Sequence, residues 1–452
     1  MAGLCEGSNE PPGSLKARTG KMEAPADIEA ALPTCTHLVY GYAVIDSSNH
    51  KLVPLDEYQE LDSGKGYYRT VTSLKKRYPG LNILLSVGGQ ADPDKEKYNE
   101  VLESEDKRKA FVSSARTLLR QYAFDGLDLA WQFPEIRVKK DRGTFGSLWH
   151  SLKKTVGLAH SHKDEKEEEH RTGFTALVKD LKSSLKPDGL LLTAALLSNV
   201  DPAAYYEVDK IMPNLDFLSV QAFNYTSPER KPDEADYPAA LYQAGGRELN
   251  HTADGTIRWF LEKGASDNPP LFELTTIQLL RVLCSCKKVL HCLFSQFYLG
   301  LILASKLILG ISSFGQSWKL NGDSKISGVP PIGAEGPGEA GPQTKTPGLL
   351  SYPEVCSLLP NPNSKSSTAP HLLRRVSDPS HKLGSYAFRL PDSSAEGLWV
   401  AYEDPDTAGY KGAYVKNKGL GGIALWDLSL DDFRGLCSGE RFPILKAAKN
   451  HL

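Results

Sequence analysis

Short apolar runs alternate with amphipathic stretches along most of this chain. Thr36–Ile45 (THLVYGYAVI), Leu81–Gly89 (LNILLSVGG), Gly189–Leu197 (GLLLTAALL), Leu215–Phe223 (LDFLSVQAF), Leu307–Phe314 (LILGISSF) and Leu420–Trp426 (LGGIALW) read as buried strands. Pro25–Leu32, Tyr67–Tyr78, 104–122, Thr172–Leu185, 201–214, 253–263 and Thr407–Lys418 read as helices, and a terminal helix follows from Phe442. Apolar strands that alternate with helices predict a parallel sheet covered on both faces. The stretch Lys319–Pro347 is a Gly/Pro-rich loop, 348–360 a short helix, and His381–Phe388 with Leu398–Tyr402 a small antiparallel pair.

One further run, Phe124–Pro134 (FDGLDLAWQFP), alternates with period two and brings the parallel strands to seven. Asp125 stands at its start. Asp128, Ala130 and Gln132 share one face, because successive side chains on a strand point to opposite sides. That face either lines a site or holds acids as structural hydrogen-bonders, and spacing alone leaves both readings open. Seven strands fit a doubly wound sheet. They also fit an eight-strand barrel, given one more strand near Leu4 and Cys5, where the sequence is poor. In a barrel, functional residues belong at the C-terminal strand ends.

Composition narrows the classes. With 40% hydrophobic and 24% charged residues, 452 positions support a sizeable core. A net charge of -2 gives no electrostatic case for nucleic acid or an anionic membrane as partner. The seven cysteines include no CxxC pair, and Cys284, Cys286 and Cys292 lack zinc spacing, so no metal site is expected. The charged stretch 135–171 reads as a solvated loop or helix face. Residues 1–22 are polar and Pro/Gly-rich, without the apolar core of a signal peptide.

Three motifs together carry a resemblance: SVGG at 86–89, DGLDLAWQFP at 125–134 and GLGGIALWDLSLDDF at 419–433 resemble the signature strands of family 18 glycoside hydrolases, the chitinases. CTHLVYGYA at 35–43, GSLWHSLKKT at 146–155, SGVPPIGAEGPGEAGPQTKTPGLLSYPEVC at 327–356, and AFRLPD with WVAYEDPDTA from 387 onward are similar to the insect imaginal disc growth factors, a chitinase-like subgroup. The resemblance implies a (β/α)8 TIM barrel with a small α+β insertion domain between strands seven and eight. The expected division is 1–22 irregular or mis-assembled, 23–318 barrel, 319–403 insertion domain and 404–452 the rest of the barrel.

The resemblance also assigns roles. Active members carry DGxDxDxE, where the Glu protonates the glycosidic oxygen and the Asp two places earlier orients the substrate's acetamide. Here those positions are Gln132 and Ala130, so Asp125, Asp128, Ala130 and Gln132 read as the remnant of a catalytic strand with no catalytic residue. Phe223 and Asn224 stand where the family has Tyr-Asp, and Gln90 where an aromatic often follows SxGG. Trp426 matches the floor tryptophan under a pyranose ring; Tyr42 and Trp131 are further carbohydrate-binding candidates, each with barrel core as its plain alternative. The implied disulfides are Cys5–Cys35 and Cys356–Cys437, which place the protein outside the cell.

Residues 268–304 interrupt the resemblance. The seventeen residues Val289–Ser305 hold no Lys, Arg, Asp or Glu, yet a membrane span needs about 20 apolar residues, so no span is expected. A retained intron or misjoined exon is the favoured reading. Of the sequons at Asn224 and Asn250, the second, in a loop, is the better acceptor. The functional expectation is a catalytically inactive, secreted growth factor that acts in cell proliferation and imaginal disc development. It would need no cofactor and would have an unknown cell-surface receptor and chitin-type oligosaccharide as partners. A chitin-binding lectin or cuticle-organising protein is the alternative, and an active chitinase the third reading.

Overall fold

The computed structural model describes residues 2–8, 25–89, 92, 94–134, 164–243, 251–264, 302–322, 324, 329–360, 372–393 and 395–452. Eight parallel strands close into a barrel: β1 (Ala2–Ser8), β2 (His37–Ile45), β3 (Asn82–Gly88), β4 (Gly126–Ala130), β5 (Leu191–Leu196), β6 (Phe217–Val220), β7 (Leu307–Ser312) and, after a second sheet, β12 (Gly422–Trp426). Closure comes from β1, whose Cys5 pairs with Leu425 of β12 on one side and Leu38 of β2 on the other. The stretch 1–22 therefore contains a strand where an irregular segment was expected. Its sequence AGLCEGS is weak, and neighbours distant in the chain supply its backbone hydrogen bonds.

The second sheet grows directly out of the barrel, separated from β7 by Ser313 alone. It comprises β8 (Phe314–Leu320), β9 (Leu349–Ser351), β10 (Ser385–Arg389) and β11 (Gly397–Tyr402), with shorter edge strands. Trp318, Tyr386, Phe388 and Trp399 form its own core. This is the α+β insertion between barrel strands seven and eight. The predicted helix over 348–360 is instead β9 followed by the short helix Tyr352–Ser357, started by a capping box between Ser351 and Glu354.

Helices cover the barrel. The longest two are α2 (Glu105–Tyr122) and α3 (Glu167–Leu185), and further ones are α1 (Glu96–Glu103), α4 (Ala253–Gly264), α5 (Pro405–Lys418) and α6 (Pro443–Asn450). The α2 stripe Phe111, Val112, Ala115 and Leu119 is buried, as its spacing predicts. α3 begins one turn earlier than expected. Glu167, Glu168 and Glu169 occupy its first turn, where carboxylates favour the helix dipole.

The entry to α3 is fastened. The His170 ring sits between Asp164 (2.6 Å) and Glu103 (3.0 Å). The Tyr205 hydroxyl lies within hydrogen-bond distance of both the Asp164 carboxylate (3.1 Å) and the Pro134 carbonyl (3.4 Å). Most of the apolar stretch 268–304 lies outside the described residues, but Leu303 and Ala304 at its end are buried in the main core. Among the described residues, no helix is long and apolar enough to cross a membrane.

Candidate functional site

The barrel interior is layered. At the lower end Val39, Leu84, Phe217, Ile308 and Ala424 fill it with apolar side chains. One step up, Asp128 stands in register with Ser86 of β3 and Thr193 of β5. Its carboxylate accepts hydrogen bonds from both hydroxyls, at 2.8 Å and 2.7 Å. Burial raises its pKa, and the two hydrogen bonds work against the rise. Asp125, at the lower strand end, accepts from Lys75 Nζ (2.8 Å) and from the Ile83 N–H (2.7 Å). It is a strand-end staple, far from the upper layer in register.

The upper layer is aromatic. Tyr42, Ala130, Ala195 and Leu197 form one cluster that Trp426 joins from the side. Strict alternation from Val39 would send Tyr42 outward. A register shift between Tyr40 and Ala43 brings it to the inner face instead. The Gly88–Gly89 pair makes room for this layer. A Cβ on Gly88 would lie 2.3 Å from the Ala130 carbonyl, and one on Gly89 would lie 2.4 Å from the Tyr42 ring. The Trp426 ring, partly exposed, stands 6.2 Å from Tyr42 and 6.2 Å from Phe223. Phe314 continues the wall edge-to-face with Phe223 at 5.7 Å.

Gln132 follows β4 and is buried. Its Nε2 donates to the Asp92 carbonyl at 3.1 Å, while its Oε1 has no hydrogen-bond partner. Asp92 is itself held by Lys97 (2.9 Å) and the Tyr98 hydroxyl (2.8 Å). Asn224, after β6, accepts through Oδ1 from Gln316 Nε2 at 2.8 Å.

The structure gathers Tyr42, Trp426, Ala130 and Gln132 at the upper barrel end, but not Trp131. Trp131 is 0% exposed and packs outside the barrel against Tyr98, Phe111 and Phe174, so it is core and cannot meet a ligand. Alternation already places it opposite Ala130. Phe314 and Asp92 are the residues that the sequence reading missed. Phe314 belongs to no motif, and the Asp92 contact joins positions far apart in the chain. Gln90 and Asn250 lie outside the described residues.

Cys356 and Cys437 form a disulfide with Cα atoms 5.8 Å apart. Cys35 is also disulfide-bonded. The side chain of Cys5, its expected partner, lies outside the described residues. Among the described residues, no cluster of His, Cys, Asp and Glu could hold a metal ion.

The family "Glycosyl hydrolases family 18" matches residues 15–431. Chitinase-like protein EN03 of Bombyx mori is 49% identical over 432 residues, 95% of this chain and 90% of the relative. Imaginal disk growth factor 6 of Drosophila melanogaster is 41% identical over 439 residues, 94% and 88% of the two chains. Among solved structures, catalytic domain 2 of the Ostrinia furnacalis Group II chitinase is similar at TM-score 0.72 and 25% identity, over 100% of this chain and 96% of that one. A mutant of that domain has been solved in complex with (NAG)5. The chain belongs to glycosyl hydrolase family 18 and, within it, to the chitinase-like imaginal disc growth factors.

Proposed function

We propose that the protein is a secreted, catalytically inactive growth factor that binds chitin-type oligosaccharide at the upper end of its barrel. The observation that carries the reading is the end of β4, where the inner face offers the Ala130 methyl and the Gln132 carboxamide. A carboxamide has no acidic proton for a glycosidic oxygen, and loss of general acid catalysis costs about 10²–10⁴-fold. Ala130 cannot orient an acetamide. The remaining acid of the strand, Asp128, is occupied by Ser86 and Thr193.

The partly exposed Trp426 ring, backed by the buried Tyr42 and Phe223, supports sugar binding, since pyranose C–H faces pack on such rings. The (NAG)5 complex of the related chitinase domain supports the same ligand class. The name of one relative, an imaginal disk growth factor, supports a role in imaginal disc growth; a cell-surface receptor is part of the proposal. The disulfides support an extracellular setting.

The test uses purified protein, a fluorogenic chitobioside and calorimetry with chitin oligomers. No turnover is expected, together with binding that Trp426→Ala weakens by about 10-fold or more. Turnover that disappears when Asp128 is changed would establish an active chitinase. Binding without any growth response in cultured insect cells would favour the lectin or cuticle-organising role.

A further inference from the structure

A second polar cavity lies in the seam between α5 and the second sheet. Glu403 directly precedes the Asp404 cap of α5, and its side chain is 3% exposed. One of its carboxylate oxygens pairs with Lys411, which is equally buried and also donates to the Ala239 carbonyl at 2.8 Å. The other oxygen, Oε2, has no hydrogen-bond partner. An unmet buried acceptor is destabilising, and more so when charged. A buried ion pair is sustained only when its remaining lone pairs are also met.

Glu403 lines two cavities. One, of about 10 Å³, also touches Tyr402, whose buried hydroxyl likewise has no partner; it has room for a single water. The other measures about 120 Å³ and is walled by Glu403, by Thr407, Tyr410 and Lys411 of α5, and by Asp378 and His381 of the facing loop. Both walls are built in advance. The Asp378 carboxylate accepts from the backbone N–H groups of Ser380, Lys382 and Leu383, and the Lys382 carbonyl accepts from Leu241 and Tyr242. The His381 ring stacks on Tyr410 at 3.7 Å, with the planes 10° apart.

The chemistry of these walls selects a ligand class. Lys411 already neutralises Glu403, Asp378 is met by backbone N–H groups and Asp406 pairs with Arg375, so no carboxylate of the pocket is left over to balance a cationic ligand. An anion would meet a lining that carries three carboxylates, Asp378, Glu403 and Asp406. A neutral O–H donor faces neither obstacle, and the stacked rings offer a flat apolar wall to its carbon skeleton. We propose that this seam is a second ligand site, for a small neutral hydroxylated molecule, either a free polyol or the terminal ring of a glycan. The site is independent of the oligosaccharide reading of the barrel end.

Saturation-transfer-difference NMR on the full chain tests it, with myo-inositol standing for the free polyol and N-acetylglucosamine for the glycan end. At least one probe should give signals that persist in Trp426→Ala and fall about tenfold in apparent affinity in His381→Ala. His381 is exposed and leaves the Glu403–Lys411 pair intact, so this variant keeps its fold. Glu403→Gln, checked for folding by near-ultraviolet circular dichroism, should lose the signal as well. A signal from myo-inositol alone assigns a free polyol, and one that includes N-acetylglucosamine admits a glycan end. Absence of signal from both probes overturns the proposal, as do signals that His381→Ala leaves unchanged.

Discussion

At the lower end of the barrel, Asp125 and Asp216 do the same work on different strands. Asp125 takes the Ile83 N–H at 2.7 Å and the Lys75 ammonium at 2.8 Å; Asp216 takes the Leu192 N–H at 2.8 Å and the Lys182 ammonium at 2.7 Å. Midway up, Asp128 is met by two hydroxyls. At the upper end, the Gln132 amide donates once and its oxygen is left without a partner. Polar groups are thus fully met where they hold strands together and incompletely met at the aromatic end. The acids present in the β4 motif, Asp125 and Asp128, both have a structural task. On the reading proposed above, Gln132 and Ala130 stand where an enzyme of the family would carry acids.

The sharpest way to break this contrast is to remove the middle acid. Asp128→Ala would leave Ser86 and Thr193 hydroxyls unpaired inside the barrel and open a void. We expect a loss of about 3–5 kcal/mol in urea unfolding, against about 1 kcal/mol for Asp128→Asn, which can still accept one bond and donate another. Equal effects from the two would show that packing rather than hydrogen bonding holds the layer.

Carboxyls without a cation should betray themselves by titration. Glu60 is buried against the Tyr40 hydroxyl, and burial pushes its pKa up to about 7; burial pushes Asp431, beside the start of α6, up to about 7 as well. Both bind a proton more tightly in the folded chain than in the unfolded one. Their contribution is complete below the unfolded carboxyl range near pH ~4 and is lost as pH rises through about 7. Stability should fall by roughly 3–5 kcal/mol between about pH 5 and pH 8, and Glu60→Gln should flatten its share of that slope. The smallest effect belongs to the lower staples. Asp125→Asn keeps the Ile83 bond and loses a half-exposed ion pair, so about 1 kcal/mol or less is expected by chemical denaturation.

Much of the architecture could be read in the chain because seven of the barrel strands are buried on both faces and so mostly apolar, with single polar residues such as Asp128, Ser86 and Thr193 among them. β1 could not, because AGLCEGS has little burial pattern of its own and becomes a strand only between β12 and β2. Trp131 could have been placed in the core from alternation alone, being one residue out of phase with Ala130. Tyr42 could not be placed that way, since its inward turn depends on the register shift of β2. The Gln132–Asp92 bond and the Phe223–Phe314 wall join positions that only the closed barrel brings together.

The Tyr205 hydroxyl, touching Pro134 on one side and Asp164 on the other, has a consequence for how this connection can change. Both ends of the passage between β4 and α3 are anchored to one side chain of another element. Tyr205→Phe would therefore release Pro134 and Asp164 together, loosening the exit of β4 and the entry to α3 in one step.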